Sequence, residues 1–144
     1  MIEVLADEFE ELPGKIFEYE SPEKFIECWE KILGAKEAKK NTGIIYLWRS
    51  SVPVPRLKGN SDILYIGKSK NSISTRHYGC AKIEATGKRN RPRYEHILKI
   101  YGPISFHVAK FEKFSDELKK AEQKLLEEYF KVHLEYPPLN RMGK

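Results

Sequence analysis

Thr42-Gly43-Ile44-Ile45-Tyr46-Leu47-Trp48 and then Ile63-Leu64-Tyr65-Ile66-Gly67 are the stretches whose reading decides the fold of this chain. Both are dense in β-branched and aromatic residues, the types that fit a pleated and buried surface, and both read as strands. Between them, Val52-Pro53-Val54-Pro55 and Lys58-Gly59-Asn60-Ser61 read as a connecting loop, because two prolines lacking N–H groups forbid a central strand. The two strands are therefore expected to pair antiparallel.

Working outward, Ser21 reads as a helix cap with Pro22 at the first helical position, and Phe25, Trp29, Ile32 and Leu33 recur at helical spacing before Gly34. Residues 1–20 mix acidic and apolar side chains without a sustained period and are interrupted by Pro13-Gly14, so a loosely ordered arm is expected. A linker ending near Thr42 divides an acidic arm and helix, 1–40, from a main domain, 41–144. On the other side of Gly67, Ile73, Arg76, His77, Cys80 and Ala81 share one helical stripe, which places Arg76 inward. A basic loop over Gly87–Arg93 precedes a short helix carrying Tyr94, Ile97, Leu98 and Tyr101, which Gly102 ends. Ile104–Phe111 alternates as a third strand. Ser115 reads as the N-cap of a last helix that continues to about Tyr136, before Pro137-Pro138. The order is β-β-α-α-β-α, an α+β arrangement with an N-terminal helical extension.

At 144 residues the chain fits one compact domain. Charged residues make up 33% of it, and no apolar run approaches the roughly 20 residues that span a bilayer, which argues against a membrane protein. The acidic start lacks the basic and apolar regions of a secretory signal, so an intracellular, cytoplasmic protein is expected. Cys28 and Cys80 have neither disulfide-framework nor zinc-site spacing. Charge is polarised along the chain. Residues 1–35 hold ten acidic and three basic side chains, whereas Arg56–Arg93 holds ten basic and two acidic ones. That density of cations can displace counterions condensed on a polyphosphate, which points to nucleic acid as partner. The plainer reading is a solvated charged face.

The ordered set Thr42-Gly43-Ile44-Ile45-Tyr46-Leu47, Leu64-Tyr65-Ile66-Gly67-Lys68-Ser69, Arg76, and a Glu-bearing helix followed by Pro137-Pro138-Leu139-Asn140 resembles the GIY-YIG nuclease superfamily. The resemblance covers roughly residues 41–144. It implies a small three-stranded antiparallel sheet flanked by helices, with a metal-dependent phosphodiesterase centre on the sheet face. The sequence departs from the family pattern in three places. Tyr46 falls one residue late, which in a strand turns a side chain to the opposite face unless a bulge restores it. Arg76 is one residue later than the pattern. Cys80 stands where many members carry His or Tyr, leaving His77 and Tyr78 as nearby substitutes.

Two criteria compete for the metal-binding glutamate. Glu122 lies inside the apolar arc of the last helix and in the Glu-x-x-Leu context, whereas the family's spacing to the terminal Asn selects Glu128. The plain alternative is that either is a solvated charge paired with Lys119 or Lys131. The chemistry implied by the resemblance follows from these parts. One carboxylate holds a largely hydrated Mg²⁺ or Mn²⁺. Arg76 offers phosphate a planar donor fork that stays protonated. Tyr46 and Tyr65 orient water and phosphate, with Tyr46 the favoured general base if nearby cations lower its phenol pKa. Lys68, Lys70, Arg89, Arg91, Arg93 and Asn140 are the candidate contacts to flanking DNA, duplex or branched. Two rival readings are a catalytically silent relative that only binds nucleic acid, and an interaction module using the acidic first 35 residues.

Overall fold

Residues 44–48 set the architecture, because their alternation supplies apolar side chains to both faces of a sheet. The computed structural model describes residues 1–140; the last four residues of the expected 41–144 domain lie outside the described residues. Strand β2 (Ile44–Pro55) sends Ile44, Tyr46 and Trp48 to one face, and Ile45 and Leu47 to the other. Burial on both faces explains why this strand reads as a continuous apolar run. β2 pairs antiparallel with β3 (Asn60–Ser69) and with β4 (Ile104–Lys110).

The sheet has four strands, not the expected three, in the order β1-β4-β2-β3. The addition is β1 (Glu10–Glu11), which pairs with β4 through Glu10↔Val108 and Glu11↔His107. The N-terminal stretch is thus ordered, where a loose arm was expected. Leu12 N–H donates to Phe106 O at 2.8 Å, and Ile16 and Ile104 exchange two backbone bonds of 3.0 and 2.9 Å. Leu12 and Ile16 are buried. No helical or strand period is visible here because the segment follows β4 in single contacts separated by the Pro13-Gly14 turn. Two exposed glutamates on so short an edge strand also discourage further strand addition.

β2 also runs further than its prolines suggest. Its pairing with β4 stops at Ser50↔Ile104, so Val54 and Pro55 belong to a two-stranded ribbon with Ser61 and Asn60, where a proline can face open space.

Helices cover both faces. α1 (Ile2–Ala6) and α7 (Leu118–His133) pack against Ile45, Leu47, Ile63 and Ile66. The opposite face carries α2 (Pro22–Leu33), the short α3 (Lys36–Lys39), α4 (Ile73–His77), α5 (Ala81–Thr86) and α6 (Asn90–Tyr101). The Ser21 cap of α2 forms as expected, its Oγ accepting from Lys24 N–H at 3.2 Å. α2 is part of the main core: Trp29, fully buried, meets the rings of Phe25, Trp48, Tyr94 and Phe106 at centroid distances of 5.4–6.2 Å.

Two helix expectations change. The helix expected through Ile73–Ala81 is broken by a 3₁₀ turn at Tyr78–Cys80, where Gly79 is a poor helix former, and continues as α5. The last helix starts at Leu118 rather than at a Ser115 cap, because buried Phe114 closes a 3₁₀ turn over Phe111–Lys113 first. It stops at His133, where Leu134 adopts a left-handed conformation (φ 61°). No helix among the described residues is long and apolar enough to cross a membrane.

Candidate active site at the free edge of the sheet

β3 is an edge strand, and the YIG-type segment lies on it. Register is regular from Ile44↔Ser69 to Trp48↔Tyr65, so Tyr46 sits opposite Gly67 and Trp48 opposite Tyr65. All four positions project to the same face. Tyr46 therefore shares a face with Tyr65 without a bulge in its own strand; the irregularity falls beyond it, where Trp48↔Tyr65 gives way to Arg49↔Ile63. Gly67 has a steric reason to be glycine. A Cβ there would lie 2.5 Å from the Tyr46 Oη and Cε1 atoms, so only a bare backbone lets the ring lie across β3.

Tyr46 Oη and His77 Nε2 are 2.6 Å apart, and both residues are buried. The rings meet edge-on, 4.7 Å between centroids at 83°. Trp29 Nε1–H donates to the His77 carbonyl at 2.9 Å, tying the imidazole's backbone to α2. Burial, with the nearby Arg76 charge adding to it, pushes the His77 pKa down to about 3, so the ring is neutral at pH 7. Its Nδ1 is buried without a partner among the described residues. An orphaned N–H is rarer in proteins than an under-used acceptor. This favours the tautomer in which Nε2–H donates to Tyr46 Oη, leaving the phenol proton free to point away from His77.

The Tyr46 pKa is raised well above its ordinary value, by burial first and then by the neighbouring Tyr65 phenol, with Arg76 opposing. Tyr46 is thus held protonated, the reverse of the lowering that its expected base role requires. Tyr65 is half-buried, its ring 5.8 Å from that of Tyr46 and 5.6 Å from that of Trp48. It is the member of the pair that solvent reaches. Arg76 is exposed, not inward as its spacing suggested. α4 is little more than one turn, so Ile73 and His77 take the inward positions and Arg76 projects outward, still near enough to act on Tyr46, His77 and Cys80.

On the α7 side of the same edge, Lys68 Nζ and Glu122 Oε1 are 3.0 Å apart, with the carboxylate side chain 20% exposed. Glu122 also contributes, least among the causes, to raising the Tyr46 pKa. Glu128 is engaged elsewhere, with Lys131 at 3.3 Å and the N-terminal amine at 3.7 Å. The plain reading of a surface ion pair thus describes Glu128. No group of three His, Cys, Asp or Glu side chains that could cage a metal occurs among the described residues. Glu122 fits a hydrated Mg²⁺, which keeps several waters and needs few protein ligands, and does not fit an all-protein cage.

Asn140, expected at the nucleic acid, instead spends its amide on the backbone. Its Oδ1 accepts from Ile66 N–H at 3.0 Å, and its Nδ2 donates to Ile66 O at 2.9 Å. Leu139 N–H donates to Leu64 O at 2.8 Å, so residues 139 and 140 cover the outer edge of β3 as far as Ile66. By the alternation of an antiparallel edge, the Lys68 N–H and C=O point outward beyond this clamp. Lys70, Arg89 and Arg93 are exposed. Arg91 is exposed but occupied, 2.6 Å from Glu95 Oε1 and 5.3 Å above the Tyr19 ring.

The motifs gave no hint of Glu84 and Tyr94. Tyr94 Oη accepts from Trp48 Nε1–H at 3.1 Å, and Glu84 beside it has its pKa raised by burial. Helical spacing did flag Trp29 as core, but not as the anchor of His77.

His77 makes stability pH-dependent. Its folded pKa is depressed below the unfolded value of 6.5, so the unfolded state binds more protons between pH 6.5 and about 3. The full contribution is present above that window and is lost as pH falls through it. Urea unfolding at pH 7 and pH 4.5 is expected to differ by about 2–3 kcal/mol from this residue, and the difference should shrink by that amount in His77→Gln.

No protein-family model matches the chain. No curated protein matches it either. Among solved structures, the restriction endonuclease HPY188I in complex with product DNA is similar at a TM-score of 0.35 and 19% identity, over 93% of this chain and 80% of that one.

Proposed function

We propose that the protein is a metal-dependent endonuclease that hydrolyses DNA phosphodiester bonds, in the manner of the GIY-YIG nucleases its motifs resemble. The observation that carries this reading is the Tyr46–His77 hydrogen bond of 2.6 Å, set behind Tyr65 and beside Arg76 on one face of the sheet. Phosphodiester hydrolysis needs an aligned water, donors for the charge that gathers on the phosphate oxygens, and help for the leaving oxygen. Arg76, exposed and permanently charged, meets the phosphate oxygens. Tyr65 meets the water or the scissile phosphate. Tyr46 is a positioning residue: His77 donates to it, and its ring lies 5.8 Å from that of Tyr65. Glu122 would hold Mg²⁺, which when bound neutralises charge on the phosphate. Lys68, whose N–H points outward beyond the Asn140 clamp, would contact a flanking phosphate.

The test is cleavage of supercoiled plasmid and short branched duplexes with Mg²⁺ or Mn²⁺, comparing wild type with Arg76→Ala, Glu122→Gln and Glu128→Gln. Arg76→Ala should lose about a hundredfold in rate, or ~3 kcal/mol. Glu122→Gln should be inactive, and Glu128→Gln close to wild type. The Lys68–Glu122 pair, which already engages the candidate metal carboxylate, favours a second reading as a silent nucleic-acid-binding module. Salt-sensitive binding without metal-dependent cleavage would select it.

A further inference from the structure

Between α2 and α4 the surface opens into a cleft of about 860 Å³ that includes no member of the tyrosine site. Its walls include Lys31 of α2, Lys39 of α3, Thr42, Asn71, Thr75 and Tyr78. Lys31 and Lys39 have no carboxylate partner among the described residues. Glu30 also lines the cleft, so the charge of its lining side chains remains positive by one. Tyr78 is 42% exposed, and its ring is seated against Gly34, where a Cβ would come within 2.8 Å of Cε1. Gly34 therefore does more than end α2; it makes room for an aromatic ring at the cleft wall.

This inventory has a chemical match. Two free ammonium groups suit phosphates, hydroxyl and amide groups suit phosphate oxygens and base edges, and an exposed ring suits a stacked base. The volume falls in the range of roughly 300–1,000 Å³ typical of small-ligand sites, which admits an unpaired nucleotide or two but no duplex. The position fits as well. Thr75, which lines the cleft, directly precedes Arg76 of the candidate active site on α4, so the two sites are neighbours.

We propose that this cleft receives the unpaired strand of a branched DNA, making a duplex with a single-stranded arm the preferred substrate. The inference rests on the nuclease reading above and specifies its substrate class. The test is fluorescence anisotropy in EDTA, where no metal-dependent cleavage interferes, with a labelled duplex bearing a short single-stranded arm and a blunt duplex of equal length. The armed duplex should bind about tenfold more tightly, in line with one stacked base and two phosphate contacts. Lys31→Ala combined with Lys39→Ala should erase that preference and reduce the salt slope for the armed duplex by about 1.4, at about 0.7 per phosphate of a single strand. Tyr78→Leu should weaken it while keeping the contact with Gly34, and Tyr78→Trp should retain it. Equal affinity for the two DNAs in the wild type, or a preference that survives the double lysine variant, would overturn the cleft assignment and leave the nuclease reading standing. Failure of the wild type to bind either DNA would overturn both.

Discussion

Trp29→Ala is expected to lower the free energy of unfolding by about 3–5 kcal/mol, the usual cost of removing a large buried aromatic side chain. Marginal domains hold only about 5–15 kcal/mol in total, so this variant should lie near the limit of folding. Trp29 is fully buried and meets five other rings, those of Phe25, Trp48, His77, Tyr94 and Phe106, and its indole N–H satisfies the His77 carbonyl, which alanine would leave unpaired. Urea unfolding followed by fluorescence of the remaining Trp48 gives the measurement. A single transition with a much lower midpoint is expected. If residues 1–40 were a separable extension, Trp48 would report an unchanged transition instead. The same experiment asks whether the helix before the motifs is scaffold for the site, since α2 holds the backbone of the histidine that contacts Tyr46.

Tyr65→Phe is expected to reduce metal-dependent cleavage by about a thousandfold while leaving DNA affinity nearly unchanged. Loss of one well-placed proton-transferring or hydrogen-bonding group costs about 10²–10⁴ in rate. Tyr46→Phe should cost less, about tenfold, because it removes only a supporting hydrogen bond, though His77 Nε2 then loses its partner inside the core. Single-turnover rates at saturating DNA separate the two. If Tyr46→Phe proves the more damaging, the buried phenol itself meets substrate and the outer tyrosine merely covers it.

The sequence made the two central strands legible because β2 is buried on both faces and so carries an unbroken apolar run. Helix α2 was equally clear, having a cap, a proline and a single apolar stripe. β1 was not, since two glutamates followed by a turn leave no period to detect; what fixes them is the β4 backbone, which lies far off in sequence. Arg76 was placed inward by a stripe that extends across Gly79, but the helix ends before that residue and the stripe does not continue. Of the two glutamates, burial pointed to the one that reaches the sheet edge, whereas spacing to Asn140 pointed to the one paired on the surface. Spacing misleads here because Asn140 is positioned by the β3 backbone and not by the helix. Tyr46 remained on the Tyr65 face despite its displacement, since facing depends on the partner strand's register and not on distance from Gly43.

The clamp at Ile66 has a consequence for synthesis. β3 offers its outer amide and carbonyl to the Asn140 side chain, and its carbonyl at Leu64 to Leu139. While the chain is still being translated, both strands of the motif emerge some seventy residues before the groups that close their edge, as Ile66 and Asn140 are 74 apart. A nascent chain must hold that edge unpaired while those residues are added, so a ribosome that stalls before residue 139 would present a strand ready to join a neighbour's.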